Sequence, residues 1–538
     1  MNTRRPRGER STAGRDALTA SAGARTSPPD RGRPSWRFAL LLAVPLMVLE
    51  LLVLTRWGWF RDELYSMAST EHLAWGYVDH PPLSIALLAL VRAAAGPSLV
   101  AMRIAAALLG GATVMVLALL ARQLGGGRWA MAVAAAALTC SVALFLFHVY
   151  SLNALDLLLW ASTLLALTRA LERPATRHWL VVGLVLGLAL LNKLSAVWLG
   201  VAILVALLAT PQRRLLATRG PWLAALLAVA LFTPHVVWQQ LHGWPTLEFV
   251  ANARAHKIAP LSPAGFWAAQ LQLIGPVSLI LALAGAAHAA LRRRHTPLAV
   301  NAWIVLLVAA YLTADPYAKP YYLLAALMGG FAVGGVALEA LVRSRWRRAW
   351  WALPAVALAM QVGFGALMVP VAVPVLPQEQ TMRYLARLGI VPSSGERVQA
   401  GSLPQHLGDM NGWEELARSV AAVYRELPEG ERERTSVYAT NYGRAGAVDV
   451  LGRRLGLPPA ISGHNSYWLW SRIDADSETL VLVGGEREDY AQLFEDVELA
   501  RVHMHPWAVP GESRVNIFVA RGPHRPLAET WPQVKRFI

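Results

Sequence analysis

The chain has 538 residues, of which 55% are hydrophobic and only 16% charged, with 50 Lys+Arg against 34 Asp+Glu and a formal net charge of +16. That apolar content excludes intrinsic disorder and a collagen-like chain, and a single cysteine, Cys140, excludes a disulfide scaffold. Residues 1–374 carry 32 basic and 13 acidic side chains while 375–538 carry 18 and 21, so the positive excess belongs to the apolar part and no nucleic-acid footprint is expected on the soluble part.

Residues 1–36, rich in Arg, Ser, Pro and Gly, read as a disordered basic cytoplasmic arm. Arg4-Arg5 stands too far ahead of the first apolar run to act as a twin-arginine signal, and that run reads as an uncleaved signal anchor. A hydrocarbon core of about 30 Å needs roughly 20 apolar residues per helix. Eleven runs qualify, at 37–55, 99–121, 128–148, 153–171, 178–192, 195–209, 221–238, 269–291, 297–314, 320–342 and 349–371. The short neighbours 178–192 and 195–209 are parted only by Asn192-Lys193-Leu194.

With the N-terminus in the cytoplasm, arginines collect in alternate loops, as the positive-inside rule requires. They include Arg169, Arg173 and Arg177; Arg213, Arg214 and Arg219; Arg292, Arg293 and Arg294; and Arg343, Arg345, Arg347 and Arg348. The expected fold class is a multi-pass α-helical membrane protein, its transmembrane domain at 37–374 and an extracytoplasmic α/β domain at 375–538. In the latter, strand-like runs at 436–440, 479–483 and 515–520 alternate with helix-like runs at 381–388, 413–427, 445–455 and 489–497, suggesting a small, partly parallel sheet.

Acidic residues are scarce in the apolar part, and four of its thirteen, Asp62, Glu63, Glu71 and Asp79, fall in the first outer loop, 57–98. Trp57, Trp59, Phe60, Tyr65, Trp75 and Tyr77 would hold that loop at the interface. Carboxylates at such depth are costly unless used or paired; Arg61 and Arg92 are the available partners. No His/Cys/Asp/Glu spacing supplies a convincing metal set, so catalysis without an obligatory metal is expected, ligands distant in sequence remaining open.

Arg61-Asp62-Glu63 just after the first span, then Tyr77-Val78-Asp79-His80-Pro81-Pro82-Leu83, resembles the first outer loop of glycosyltransferase family 39. This is the dolichyl-phosphate-mannose-protein mannosyltransferase-like family of the GT-C fold. The resemblance continues at Asn153-Ala154-Leu155-Asp156, Leu191-Asn192-Lys193 and Lys319-Pro320-Tyr321-Tyr322-Leu323. In the outer domain it recurs at Asn441-Tyr442-Gly443-Arg444 and around Gly463-His464-Asn465-Ser466-Tyr467-Trp468.

The resemblance implies a bacterial plasma-membrane enzyme among membrane lipids. It would move a sugar from a polyprenyl-phosphate carrier to an envelope acceptor (protein, lipid or glycan) on the outer face, with inversion. By match to the loop motif, Asp62 is the general base, with Glu63 beside it to orient it or bind sugar. Asp79, His80 and Tyr65 are candidates for acceptor or sugar positioning; the competing reading has Pro81-Pro82 start a helix that Asp79 caps. Lys193, Lys319, Tyr321 and Tyr322 are candidates for the carrier phosphate, the tyrosines equally interface anchors. Arg103 is another phosphate candidate and equally a partner for a loop carboxylate. Arg254, His256 and Lys257 lie in the outer loop 239–268, which could close over donor or acceptor; the favoured reading makes them solvated or headgroup-facing charges. Asp156 reads as a buried contact to another helix, and Glu50 as a snorkelling group or a partner of Arg103. The competing function is a transporter or flippase of lipid-linked sugars, for which paired polar sites near the midplane would be expected.

Overall fold

The computed structural model describes residues 35–141, 144–345, 351–392, 395–397, 399–473 and 477–538. Apart from its last two residues, the arm expected at 1–36 lies outside the described residues, as do Arg347 and Arg348.

The chain opens with α1 (Ser35–Val53), followed by two helices of the loop at 57–98, α2 (Arg61–Ser69) and α3 (Leu83–Ala95). The bundle continues with α4 (Leu99–Gln123), α5 (Arg128–Thr139), α6 (Phe145–His148), α7 (Leu152–Glu172), α8 (Thr176–Asn192), α9 (Ala196–Leu208) and α10 (Arg219–Leu241). A second long connection carries α11 (Pro245–Asn252), and α12 (Pro263–Ile274), α13 (Pro276–Arg292), α14 (Pro297–Ala314), α15 (Leu323–Arg345) and α16 (Ala352–Ala372) complete the bundle. Among the described residues seven helices are long and apolar enough to cross a membrane, or up to nine if each of two bent pairs is one span. The shorter apolar helices α5 and α8 coincide with the other expected runs.

Two expected runs are broken helices. The run 269–291 is α12 and α13, bent by 114° at Gly275-Pro276. Pro276 has no N–H to continue the ladder and disfavours helical backbone at the residue before it, and Gly275 takes φ +84°. The run 128–148 stops at Thr139 and resumes only as the single turn of α6. Elsewhere small residues bring helices into backbone contact: a Cβ on Gly285 of α13 would lie 2.6 Å from the Gly334 Cα of α15.

Beyond the bundle lie α17 (Gln378–Arg387), α18 (Gln405–Gly408), α19 (Trp413–Glu426), α20 (Glu429–Arg432), α21 (Tyr442–Val450) and α22 (Ser466–Trp470). Of these, α19 and α21 pack on a five-stranded sheet of order β2-β1-β3-β5-β4, made by β1 (Thr435–Ala439), β2 (Ala460–Ile461), β3 (Thr479–Val483), β4 (Phe494–Met504) and β5 (Arg514–Pro523). The first three strands are parallel, and β5 runs antiparallel to β3 and β4. Of residues 489–497, expected to be helical, Asp489 and Tyr490 end a single helical turn and 494–497 open β4. The irregular pairing between Leu499 and Arg501 breaks the period-two alternation by which that strand would have been recognised. One apolar core joins the 57–98 loop to this domain: Leu64, Tyr65 and Met67 of α2 pack in it with Trp413, Val437, Tyr442 and Tyr467.

Candidate active site

The site is built on the first turn of α2. Glu63 is fully buried, and both its oxygens are engaged. Arg103 donates to them at 3.2 and 3.0 Å, the Tyr150 N–H at 3.1 Å and the Phe60 N–H at 3.0 Å. No face of Glu63 is left for a sugar; it serves to hold α2 in place. Arg103, also fully buried, spends its remaining donors on the Leu54 and Gly58 carbonyls at 3.0 and 2.7 Å. That corrects its candidacy for the carrier phosphate in favour of the loop-carboxylate reading. Glu50 accordingly pairs with His148, at 2.9 Å, and not with Arg103.

Asp62, one residue earlier, points away from that anchor because adjacent helical residues diverge by about 100°. It is half-buried, and its Oδ1 accepts a hydrogen bond of 2.9 Å from the Tyr442 hydroxyl. No other hydrogen bond to its carboxylate occurs among the described residues. Tyr442 begins α21, whose N-terminus is capped by Asn441 Oδ1 accepting from the Arg444 N–H at 2.9 Å. Glu512 ties both residues down, at 2.9 Å to Asn441 and 2.8 Å to Arg444. Gly443 and Gly446 let α21 lie directly on α2: a Cβ on either would fall 2.6 Å from Arg61 Cγ or 2.9 Å from the Leu64 carbonyl carbon.

Arg61 turns to Asp409, at 3.2 Å, its guanidinium 5.7 Å from the centre of the Tyr442 ring. Burial pushes the Asp409 carboxyl up to about 7 against the pull of Arg61. Burial and the nearby Asp62 hold the Tyr442 phenol well above its ordinary range, although Arg61 opposes them. It therefore stays a donor.

A second tyrosine holds the second carboxylate. Tyr65 donates to Asp79 at 2.9 Å, and its ring lies 4.9 Å from that of Tyr442. His80 is buried, with Nδ1 2.9 Å from the Pro81 oxygen. The helix after Pro81-Pro82 forms as expected, but it carries no side-chain cap, so Asp79 is not its N-cap. The Val78 and Ser466 main chains close the loop onto α22, through Ser466 Oγ at 3.0 Å and the Tyr65 hydroxyl at 3.3 Å.

Lys319 lies 3.6 Å from Glu396. Burial alone would raise the Glu396 carboxyl, but Lys257, Lys319 and Arg61 bring it below its ordinary range. Lys257, read from sequence as a solvated charge, is drawn inward; burial lowers its ammonium, with Glu396 opposing, and Asp62 is within electrostatic range. Lys193 donates to Asn153 at 2.8 Å, pairs with Asp156 at 3.3 Å and sits 4.9 Å over the Tyr322 ring. Asp156 thus makes the interhelical contact its depth implied. Tyr321 lies within electrostatic range of Asp62 and Glu396. Arg254 pairs with Asp315 at 2.6 Å on the exposed side. No group of three or more His, Cys, Asp or Glu residues able to hold a metal occurs among the described residues.

Tyr442, Asp409 and Glu396 were not recognisable as site residues from local sequence. For Tyr442 the signals were the family-like stretch Asn441-Tyr442-Gly443-Arg444 and the small-residue spacing through Gly446, which marks a helix built for close approach without saying to what.

These features define a multi-pass, mostly helical membrane protein with a C-terminal α/β domain closed over a carboxylate–tyrosine–lysine cluster. Residues 79–238 match the family model described as dolichyl-phosphate-mannose-protein mannosyltransferase. In fold the chain is similar to ArnT from Cupriavidus metallidurans bound to undecaprenyl phosphate, with a TM-score of 0.59, 14% identity, and coverage of 90% of this chain and 98% of that one. The apo form of the same protein gives 0.58 and 15% identity at the same coverage. No curated protein matches by sequence. Residues 79–238 thus carry the match to that family model, and the fold is shared with ArnT over most of the chain's length.

Proposed function

We propose that the protein transfers a sugar from a polyprenyl-phosphate carrier to a cell-envelope acceptor on the outer face of the plasma membrane, inverting the anomeric carbon, with Asp62 as general base. The observation that carries this reading is the state of Asp62. It is a half-buried carboxylate fixed through one oxygen, within electrostatic range of Lys257, in a chain whose fold resembles that of an enzyme crystallised with undecaprenyl phosphate.

In the proposed reaction the acceptor hydroxyl attacks the anomeric carbon and Asp62 takes its proton as the new C–O bond forms. The bond from that carbon to the carrier phosphate breaks, and its electron pair leaves on the phosphate oxygen. The phosphate gains negative charge in the transition state, so fixed cations facing it lower the barrier. Lys319, Lys257 and Lys193 are assigned that task, with the Tyr321 and Tyr322 hydroxyls as neutral donors. Lys319 and Lys193 are held meanwhile by Glu396 and by Asn153 with Asp156, so their positions are set before the carrier arrives. Asp79, steadied by Tyr65, is assigned to acceptor positioning.

The test supplies purified protein in liposomes with a radiolabelled polyprenyl-phosphate sugar on one leaflet and a crude envelope acceptor fraction. Label leaving the lipid for the acceptor supports the enzyme. Label that only changes leaflet overturns it in favour of a flippase.

A further inference from the structure

The geometry points to Tyr442 as a positioning residue for the base: the C-terminal domain reaches into the membrane domain's site and holds the Asp62 carboxylate by one oxygen, leaving the other for the acceptor hydroxyl. This inference rests on the assignment of Asp62 as base and adds a working part from the outer domain.

Three independent constraints fix the tyrosine. Its helix cannot drift from α2, because Gly443 and Gly446 seat it at a distance that no Cβ would tolerate. Its main-chain N–H donates to His464 Nδ1 at 3.3 Å, which orients the start of α21. Its ring is wedged between the Arg61 guanidinium, 5.7 Å away, and the Tyr65 ring, 4.9 Å away. Among the described residues the buried hydroxyl has one hydrogen-bond partner, Asp62 Oδ1 at 2.9 Å. A phenol does not compete for the proton that the base must take, so the bond can persist while Oδ2 accepts.

The other charged and titratable groups around Asp62 act at longer range. They are Arg61 on its own helix, Asp409 ahead of α19, Lys257 in the second outer loop and Tyr321 at the start of α15. Arg61 is drawn to Asp409 at 3.2 Å and so does not take over the carboxylate. Tyr442 is left as the group that sets its rotamer.

In full-length protein, Tyr442→Phe keeps the ring and its packing but removes the donor. We expect kcat to fall about tenfold to a hundredfold, since a misplaced catalytic group costs that order. The KM for the carrier should stay near wild type, a split that a general loss of structure would not give. Incorporation of 4-fluorophenylalanine at position 442 fills the hydroxyl's space but donates nothing, and should show the same split. Asp62→Asn is run alongside. If it is as active as wild type, the base assignment fails and this inference with it. If Asp62→Asn is inactive while the Phe variant, or the 4-fluorophenylalanine protein should the Phe variant not fold, shows the wild-type kcat, only the role of Tyr442 is overturned.

Discussion

Arg103 of α4 grips both carboxylate oxygens of Glu63 in α2, at 3.2 and 3.0 Å, with both side chains fully buried. The pair is the joint between the bundle and the loop that bears Asp62. Two main-chain N–H groups, of Phe60 and Tyr150, close on the same carboxylate. The neighbouring Asp62 therefore starts from a rigid backbone, which a base must have if it is to meet its acceptor without first ordering a loop.

Removing one partner leaves the other charge buried and unpaired, which costs about 3–5 kcal/mol. Arg103→Met or Glu63→Gln alone is expected to lower the melting temperature in detergent sharply, and the double variant to recover part of the loss. Equal melting temperatures for wild type and the single variants would show that the pair carries no such strain.

The three lysines should separate binding from chemistry by degree. Lys319 holds Glu396 at 3.6 Å across a partly exposed gap, so Lys319→Ala is expected to raise the KM for the carrier about tenfold without unfolding the protein, the order of one charge-assisted contact. Lys257→Ala should behave alike. Lys193→Ala also strips Asp156 of its cation, and a loss of folded protein should accompany its kinetic defect unless Asp156→Asn is made with it. Steady-state kinetics with detergent-solubilised carrier, beside a size-exclusion profile of each variant, distinguishes these patterns.

Two groups at the domain contact give stability a pH dependence of opposite sign. His464 accepts the Tyr442 N–H at Nδ1, so its proton is on Nε2, which meets the Ile538 main-chain oxygen at 2.9 Å. Protonating Nδ1 would set two donors against each other. Burial, with Lys257 nearby, pushes this imidazole down to about 3 despite that bond to Ile538. A depressed histidine contributes stability that is present in full above its unfolded value of about 6.5 and is lost as pH falls toward the folded one. Asp409, pushed up to about 7 chiefly by burial, does the reverse: its contribution is present below about 4 and is lost as pH rises through its folded value. Melting temperatures from pH 4 to 8 should thus fall less on the acid side in His464→Gln, and less on the alkaline side in Asp409→Asn, than in wild type. Parallel curves for all three would contradict both assignments.

The bundle was legible in sequence because lipid imposes a length and a composition on every span. The loop carboxylates stood out because acids are rare in such a chain. Lys319 and Asp62 do fall in one electrostatic neighbourhood, joined through Lys257 and Glu396. What stayed hidden is non-local. Asp62 meets a tyrosine 380 positions away, and no period or spacing links them. Glu63 and Asp62 look alike as letters, yet about 100° of helical rotation sends the first to Arg103 and the second to Tyr442. Lys257 resembled any loop cation until the strand-like contact of Ile258 with Glu396 drew it in. The bend at Gly275-Pro276 was written in the residues, but an apolar run on either side masked it.

The central claim is that Asp62 takes the acceptor's proton. Single-turnover transfer from a radiolabelled polyprenyl-phosphate sugar, with Asp62→Asn against wild type at equal carrier occupancy, tests it most directly. A general base contributes about 10²–10⁴-fold, so the rate constant should fall by that factor while carrier binding is kept. A rate within a few-fold of wild type would contradict the account.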